Sequence, residues 1–365
     1  MKQPFLPLEN ILGAATSRDD AYAAIRADAG SHKLFSSFPP DEQERLLSFI
    51  QGAQGLKITY DSFFKYVMNP DTHPSRLSRF LSAILGQNVT IRAVLPTKGT
   101  HMAEAGSFVI MDIVVELSNH TLVNVEIQKV GYLFPGERAS CYLSDFVMRQ
   151  YNRAKAQHKK HFSFRSLKPV ILIVIMEESS PEFKAVFPNY IHREITSYDS
   201  GAQVKSLFQT IYISLDTFHS VVQNISTKLE AWLMFLSSDR PADIVRLVSA
   251  YPEFLPCYRD IIEFRRNPKE LIFMYSEALA ILDHNTIVYM VDQQRKEIEE
   301  LKEKMSALAA EKDFALATVL SEKEQALAEK ECAFLEKEQA LAEKEIAFEQ
   351  IESLQKQIAA LKNEH

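Results

Sequence analysis

The amino-acid sequence predicts an α/β core, then a helical region, then a long C-terminal helix with coiled-coil character. Three observations carry this. Residues 108–117 and 121–128 alternate apolar and polar, the period-2 signature of strands. Pro169–Met176 (Pro-Val-Ile-Leu-Ile-Val-Ile-Met) is a short β-branched run of the kind buried on both faces of a sheet. Residues 293–365 repeat Leu-Ala-Glu-Lys-Glu at 327–331 and 341–345 and carry a seven-residue apolar period.

Taken in order, residues 1–40 are weakly patterned, and Asp41–Ile50 reads as a helix opened by Pro39-Pro40-Asp41. A second helix starts near Thr59. A third runs from Ser75, as N-cap, to Gly86, with Leu77, Phe80, Leu81, Ile84 and Leu85 on one stripe. After the alternating strands a helix spans about Gly136 to Lys155, and two further strands are expected at Ile191–Tyr198 and Val204–Leu215. From Asp216 to about Gln294 the chain reads helical, broken at Arg240-Pro241, Tyr251-Pro252 and Asn267-Pro268, with Trp232 in its core. The implied domains are 1–55, 56–215, 216–292 and 293–365. In the last, Ile298, Met305, Val319, Leu354 and Leu361 share one heptad position. Its apolar partner is Leu301 and Leu308 at the start and Ile351 and Ile358 at the end, drifting to Leu327, Phe334, Leu341 and Phe348 between. Self-association into a homo-oligomer is the expectation; a lone solvated helix is the alternative.

Composition excludes several classes. Of 365 residues, 46% are hydrophobic and 24% charged, ordinary globular values. No apolar stretch approaches the roughly 20 residues of a membrane span, the N-terminus lacks a signal-peptide core, and Cys141, Cys257 and Cys332 lie far apart. A soluble, cytoplasmic protein with no membrane partner, disulfide framework or zinc site is expected. Without a Gly-rich phosphate loop or a G-x-S-x-G elbow, NTPase, dinucleotide-binding and nucleophile-elbow hydrolase readings lack support. The net charge of -7 opposes nucleic-acid binding at first sight. However, residues 293–365 hold 11 Lys and Arg against 17 Asp and Glu, and the remaining chain holds 30 against 31. Within that near-neutral body, residues 149–168 carry seven cations, interleaved with aromatics, and no acid. They include Arg149, Arg153, Lys155, Lys159 and Lys160. Phosphate contact is favoured over a merely solvated helix end.

The chemistry lies in the hairpin. With Ser118-Asn119-His120 as the turn, paired positions sum to 238, which sets Asp112 opposite Glu126. One face then holds Asp112, Glu116, Asn124, Glu126 and Gln128; the other holds Ile113, Val115, Leu117, Val123, Val125 and Ile127. Opposed carboxylates lie only about 5 Å apart at Cβ and repel unless a cation sits between them. A hard divalent ion such as Mg²⁺ answers that need, and Gln128 faces the same way. Polar positions on a half-exposed sheet are the competing explanation.

Met111-Asp112-Ile-Val-Val followed by Val125-Glu126-Ile-Gln128 resembles the PD-(D/E)XK nucleases, and more closely the nuclease-family transposases related to the bacterial recombination-promoting nucleases. Tyr60-Asp61-Ser-Phe-Phe-Lys65, Arg138 with Tyr142, and Gln150-Tyr151 match the same group, over roughly residues 56–215. The resemblance implies a restriction-endonuclease-like core with a central mixed sheet flanked by helices. It also implies a Mg²⁺-dependent (Mn²⁺-tolerant) DNA endonuclease tied to transposition or recombination. Asp112 and Glu126 would be its metal ligands, with Gln128, Asp61 and Lys65 catalytic. Arg138, Tyr142, Arg149, Gln150, Arg153, Lys155, Lys159 and Lys160 would meet DNA. Gln128 stands where the motif usually has Lys. Lys129 points to the other face of its strand, and Lys65 could replace the missing cation. A catalytically weak nuclease fold that binds DNA or protein is the alternative. Asp61 could instead be only a first-turn helix acid, and Arg138 could simply pair with an acid.

Overall fold

Proline placement explains where many helices begin. In the computed structural model, which describes residues 7–95, 112–131, 136–158 and 162–362, the chain opens with α1 (Leu8–Leu12), α2 (Arg18–Arg26), α3 (Ala29–Ser37) and α4 (Pro40–Gln51). Pro40 occupies the first turn of α4, where its missing N–H costs nothing, and Gly52 closes the helix in the left-handed region. The first three helices replace the patternless segment expected for residues 1–40; Ser17 and Asp28 cap α2 and α3. Next come α5 (Asp61–Val67) and α6 (Pro74–Leu85). Helix α6 starts one residue before Ser75, because Pro74 takes the first position and His73 the cap. Its stripe buries Leu77, Phe80, Leu81 and Ile84, and also Arg76, which donates to Val67 O at 2.6 Å and pairs with Asp260 at 2.5 Å.

A sheet follows: β1 (Ile91–Val94), β2 (Ile113–Leu117), β3 (Leu122–Val130), β4 (Val170–Glu178), β5 (Ile191–Arg193) and β6 (Phe208–Ser214), in the order β1-β2-β3-β4-β6-β5. It is mixed. Strands β3, β4 and β6 run parallel, while β1, β2 and β5 are antiparallel to their neighbours. Residues 108–111 of the expected first strand lie outside the described residues. Strand β1 was not expected, and β5 ends at Arg193, short of Tyr198. The β2–β3 register pairs Ile113 with Val125, Val115 with Val123 and Glu116 with Leu122, the register set by a Ser118–His120 turn. Leu117 N–H bonds Thr121 O, and His120 takes the positive φ of 66° that such a three-residue turn requires.

Helix α7 (Gly136–His158) crosses from β3 to the parallel β4 and covers one sheet face. The layers follow from alternation. Val170, Leu172, Val174 and Met176 pack with Val114, Leu122 and the α7 residues Tyr142, Leu143 and Phe146. Ile171, Ile173 and Ile175 point the other way, with Ile113, Val115, Val123 and Val125. That second layer is completed by helices from both sides of the sheet in sequence. The later ones, after the short α8 (Pro181–Lys184), are α9 (Leu215–Val221), α10 (Lys228–Ser237), α11 (Pro241–Ala250) and α12 (Leu255–Arg266). Trp232 sits in this core, edge-on to Phe254 at 4.6 Å. Helix α13 (Pro268–Lys362) begins at the expected break and buries Leu271, Ile272 and Tyr275.

The chain divides into two units, 1–288 and 289–365. In the second, every side chain from 294 to 356 is exposed, including Ile298, Leu301, Met305 and Leu354. Among the described residues no helix is long and apolar enough to cross a membrane.

Candidate nuclease site

Strand pleating puts Asn124, Glu126 and Gln128 on the α7 side of β3, and all three are buried, at 0, 1 and 7% exposure. This is no half-exposed sheet face. Asp112 precedes β2 and locks to β3 through two reciprocal bonds. Its N–H donates to Glu126 Oε1 at 3.1 Å, and Ile127 N–H donates to Asp112 Oδ2 at 2.8 Å. Asn124 Nδ2 adds a bond to Glu126 Oε1 at 2.8 Å. Sequence reading placed Asn124 on this face but gave it no role; its position two residues before Glu126 was the available signal.

Helix α5 delivers the cation. Lys65 Nζ lies 3.2 Å from Asp112 Oδ1 and 2.7 Å from Asp61 Oδ1, so Asp61 steers the lysine toward the strand carboxylate. Burial works against the lysine's charge, but Asp112 and Asp61 outweigh it and hold its pKa above the usual value. Even so, the pair is short of positive charge. Burial pushes the Glu126 carboxyl up to about 7, despite the bonds from Asn124 and the Asp112 N–H. Burial, then Glu126 and Asp61, push Asp112 well above its ordinary value.

From the other side, α7 presents Arg138, whose guanidinium donates to Tyr142 Oη at 3.0 Å and acts electrostatically on Glu126. Burial and the Glu126 charge together raise the Tyr142 phenol. The structure thus gathers Asp61, Lys65, Asp112, Glu126, Arg138 and Tyr142 around the middle of β3. Lys129 leaves that face, as strand geometry requires. It pairs with Glu177 at 3.2 Å and lies 3.8 Å over the Tyr60 ring.

The remaining sequence candidates lie further along α7. Arg149 pairs with buried Asp145 at 2.6 Å. Gln150 spends both ends of its amide on the Lys168 backbone, at 3.1 and 2.9 Å. Arg153 and Lys155 are exposed. Lys159 and Lys160 lie outside the described residues.

Residues 58–304, well over half the chain, match the model of the family described as PD-(D/E)XK nuclease family transposase. The chain belongs to this family. No curated protein and no solved structure matches it. Nucleases of the PD-(D/E)XK type generally use divalent metals, and the donors here fit one. The set is all oxygen, two carboxylates in a buried site where the Lys65 and Arg138 charges do not offset burial, with Asn124 Oδ1 left without a hydrogen-bond partner beside them. Among the described residues no group of three or more His, Cys, Asp or Glu is arranged to hold a metal. Mg²⁺ is compatible with that, since it commonly takes one or two carboxylates and completes its shell with water and phosphate.

Proposed function

We propose that the protein is a Mg²⁺-dependent DNA endonuclease that hydrolyses phosphodiester bonds in transposition or recombination. The observation that carries this is the convergence of Asp112 and Glu126, locked by reciprocal backbone bonds in a buried site, with Lys65 3.2 Å from Asp112. Asp112 and Glu126 would hold the ion. When bound, it supplies positive charge at the scissile phosphate and acidifies a water. Lys65 stands in for the lysine that Gln128 replaces, donating to phosphate oxygens as charge builds on them. Asp61 positions Lys65, and Asn124 orients Glu126. Gln128, on the same face, orients the water or a phosphate oxygen, while Arg138 and Tyr142 meet the DNA backbone. Residues 293–365 join chains into a homo-oligomer; light scattering should lose the higher mass when Leu301 and Ile358 are both changed to Glu.

The test is nicking of supercoiled plasmid with Mg²⁺ or Mn²⁺. Wild type should nick and Asp112→Ala should not; equal activity in both removes the assignment. One observation favours a second reading, a DNA-binding module with weak or no cleavage. Lys65 is shared between two carboxylates, and a lysine so held has less to offer a phosphate. Metal-independent DNA binding without nicking by wild type would select it.

A further inference from the structure

At the far end of α7 from the carboxylates, three aromatic rings meet on the surface. Tyr151 lies parallel to Phe164 (6.1 Å, 14°), and Phe162 stands edge-on to both, at 5.2 and 5.1 Å. Phe164 is 72% exposed. Nothing in the proposed chemistry uses these rings, and leaving a Phe in water has no folding benefit. Nor are they held loosely. The Ser163 hydroxyl caps the turn at Phe164–Ser166, and Gln150 clamps the Lys168 backbone to α7, so the segment carrying Phe164 is braced at both ends.

The surroundings specify an occupant. Arg149, Arg153, Lys155, Arg165 and Lys168 belong to the same stretch of chain as the rings, and no acid occurs between residues 149 and 168. Lys155 donates to Tyr151 Oη at 3.1 Å and sits 5.3 Å from its ring centre. Gln150 and Ser166, neighbours of the rings in sequence, line a cleft of about 840 Å³ together with Arg153, Lys168, Arg149 (paired with Asp145) and, from β1, Arg92, which pairs with Glu116 in the same wall. Exposed aromatic faces among cations suit a polyanion that offers its own flat faces, which is an unpaired nucleic-acid strand. A duplex keeps its base faces stacked inside. An apolar protein partner would not call for five cations.

We infer that the Tyr151–Phe162–Phe164 cluster is a stacking platform for a single-stranded segment of the DNA substrate. It lies about 14 Å along α7 from Tyr142, beside Glu126. A strand leaving the carboxylate centre reaches it within a few nucleotides. The inference rests on the reading of the chain as acting on DNA, and it narrows the substrate to DNA with an unpaired flank. Gln150 is then a positioning residue, holding the platform together rather than touching the strand.

The experiment is fluorescence anisotropy on the full chain in EDTA, with labelled oligo-dT of about twenty nucleotides and an abasic strand of equal length. Wild type should bind the base-bearing strand on the order of tenfold more tightly. Phe164→Ala should bring the ratio near one, and Phe164→Trp should keep it. Arg153→Ala should weaken both strands alike, since it removes only a charge contact. The platform is overturned if wild type shows no preference, if Phe164→Ala leaves the ratio intact, or if it weakens both strands equally. None of these readings requires cleavage. A wild type that fails to nick yet keeps the preference therefore indicts the carboxylate centre and leaves the platform standing.

Discussion

Glu126, midway along β3, and Glu177, near the C-terminal end of β4, lie on adjacent parallel strands. Both are largely buried, at 1% exposure for Glu126 and 15% for the Glu177 side chain. They titrate in opposite directions, Glu126 pushed up to about 7 and Glu177 pulled down to about 2. Burial would raise both. Glu177 escapes because Lys129, Lys57 at 2.6 Å and the Thr59 hydroxyl at 2.7 Å converge on it. Arg138 and Lys65 act on Glu126 too, but they do not offset its burial, and a second carboxylate, Asp112, lies beside it. A buried acid with its own lysines is a structural tie, whereas one left facing another acid awaits a cation from outside.

The largest effect that separates them is on cleavage. Glu126→Gln should lower metal-dependent nicking at least a hundredfold, whereas Glu177→Gln, measured at a temperature where circular dichroism shows it folded, should stay within about threefold. Stability should move the other way. Breaking a buried ion pair costs roughly 3–5 kcal/mol. Because the Glu177 cluster is only partly buried, Glu177→Gln should lose about 2 kcal/mol in urea melts at pH 7. That carboxyl is depressed in the fold. Its contribution is present above its ordinary 4.5 and is lost as pH falls through about 2, so the gap between wild type and variant should narrow steadily below pH 4.5 and close only near pH 2.

The Glu126 carboxyl is raised, so the sign reverses. Its contribution is fully favourable below 4.5 and is lost as pH rises through about 7. In EDTA at pH 8, Glu126→Gln should therefore be more stable than wild type by about 1–2 kcal/mol, and the gap should narrow as pH falls below about 7 and close below 4.5. The smallest effect is on the metal-linked melting temperature. Mg²⁺ should raise it by a few degrees at pH 8 and less at pH 5.5, where protons compete for the same oxygens.

The hairpin was the most legible part of the chain. An all-apolar face fixes the parity of the register, and taking Ser118–His120 as the turn then pairs Val115 with Val123, as found. Pro241 and Pro268 likewise marked helix starts. The segments that went unread carry little pattern. Helices α1–α3 bury only one or two apolar side chains each, and β1 is a four-residue edge strand, half buried. At the site, the candidates Asp112, Glu126 and Gln128 were readable from face and spacing. The reach of Lys65 to Asp112 spans 47 positions of chain and depends on how α5 packs, which no local pattern encodes. The same holds for Lys57 and Thr59, which come from about 120 residues away to neutralise Glu177.

The central claim is that the Asp112–Glu126 pair holds a divalent ion and that the Glu177 cluster does not. Calorimetric titration of Mn²⁺ into wild type, Glu126→Gln and Glu177→Gln measures this directly. The account predicts one binding event in wild type, its loss in Glu126→Gln and its survival in Glu177→Gln. Binding that persists undiminished in Glu126→Gln would contradict it.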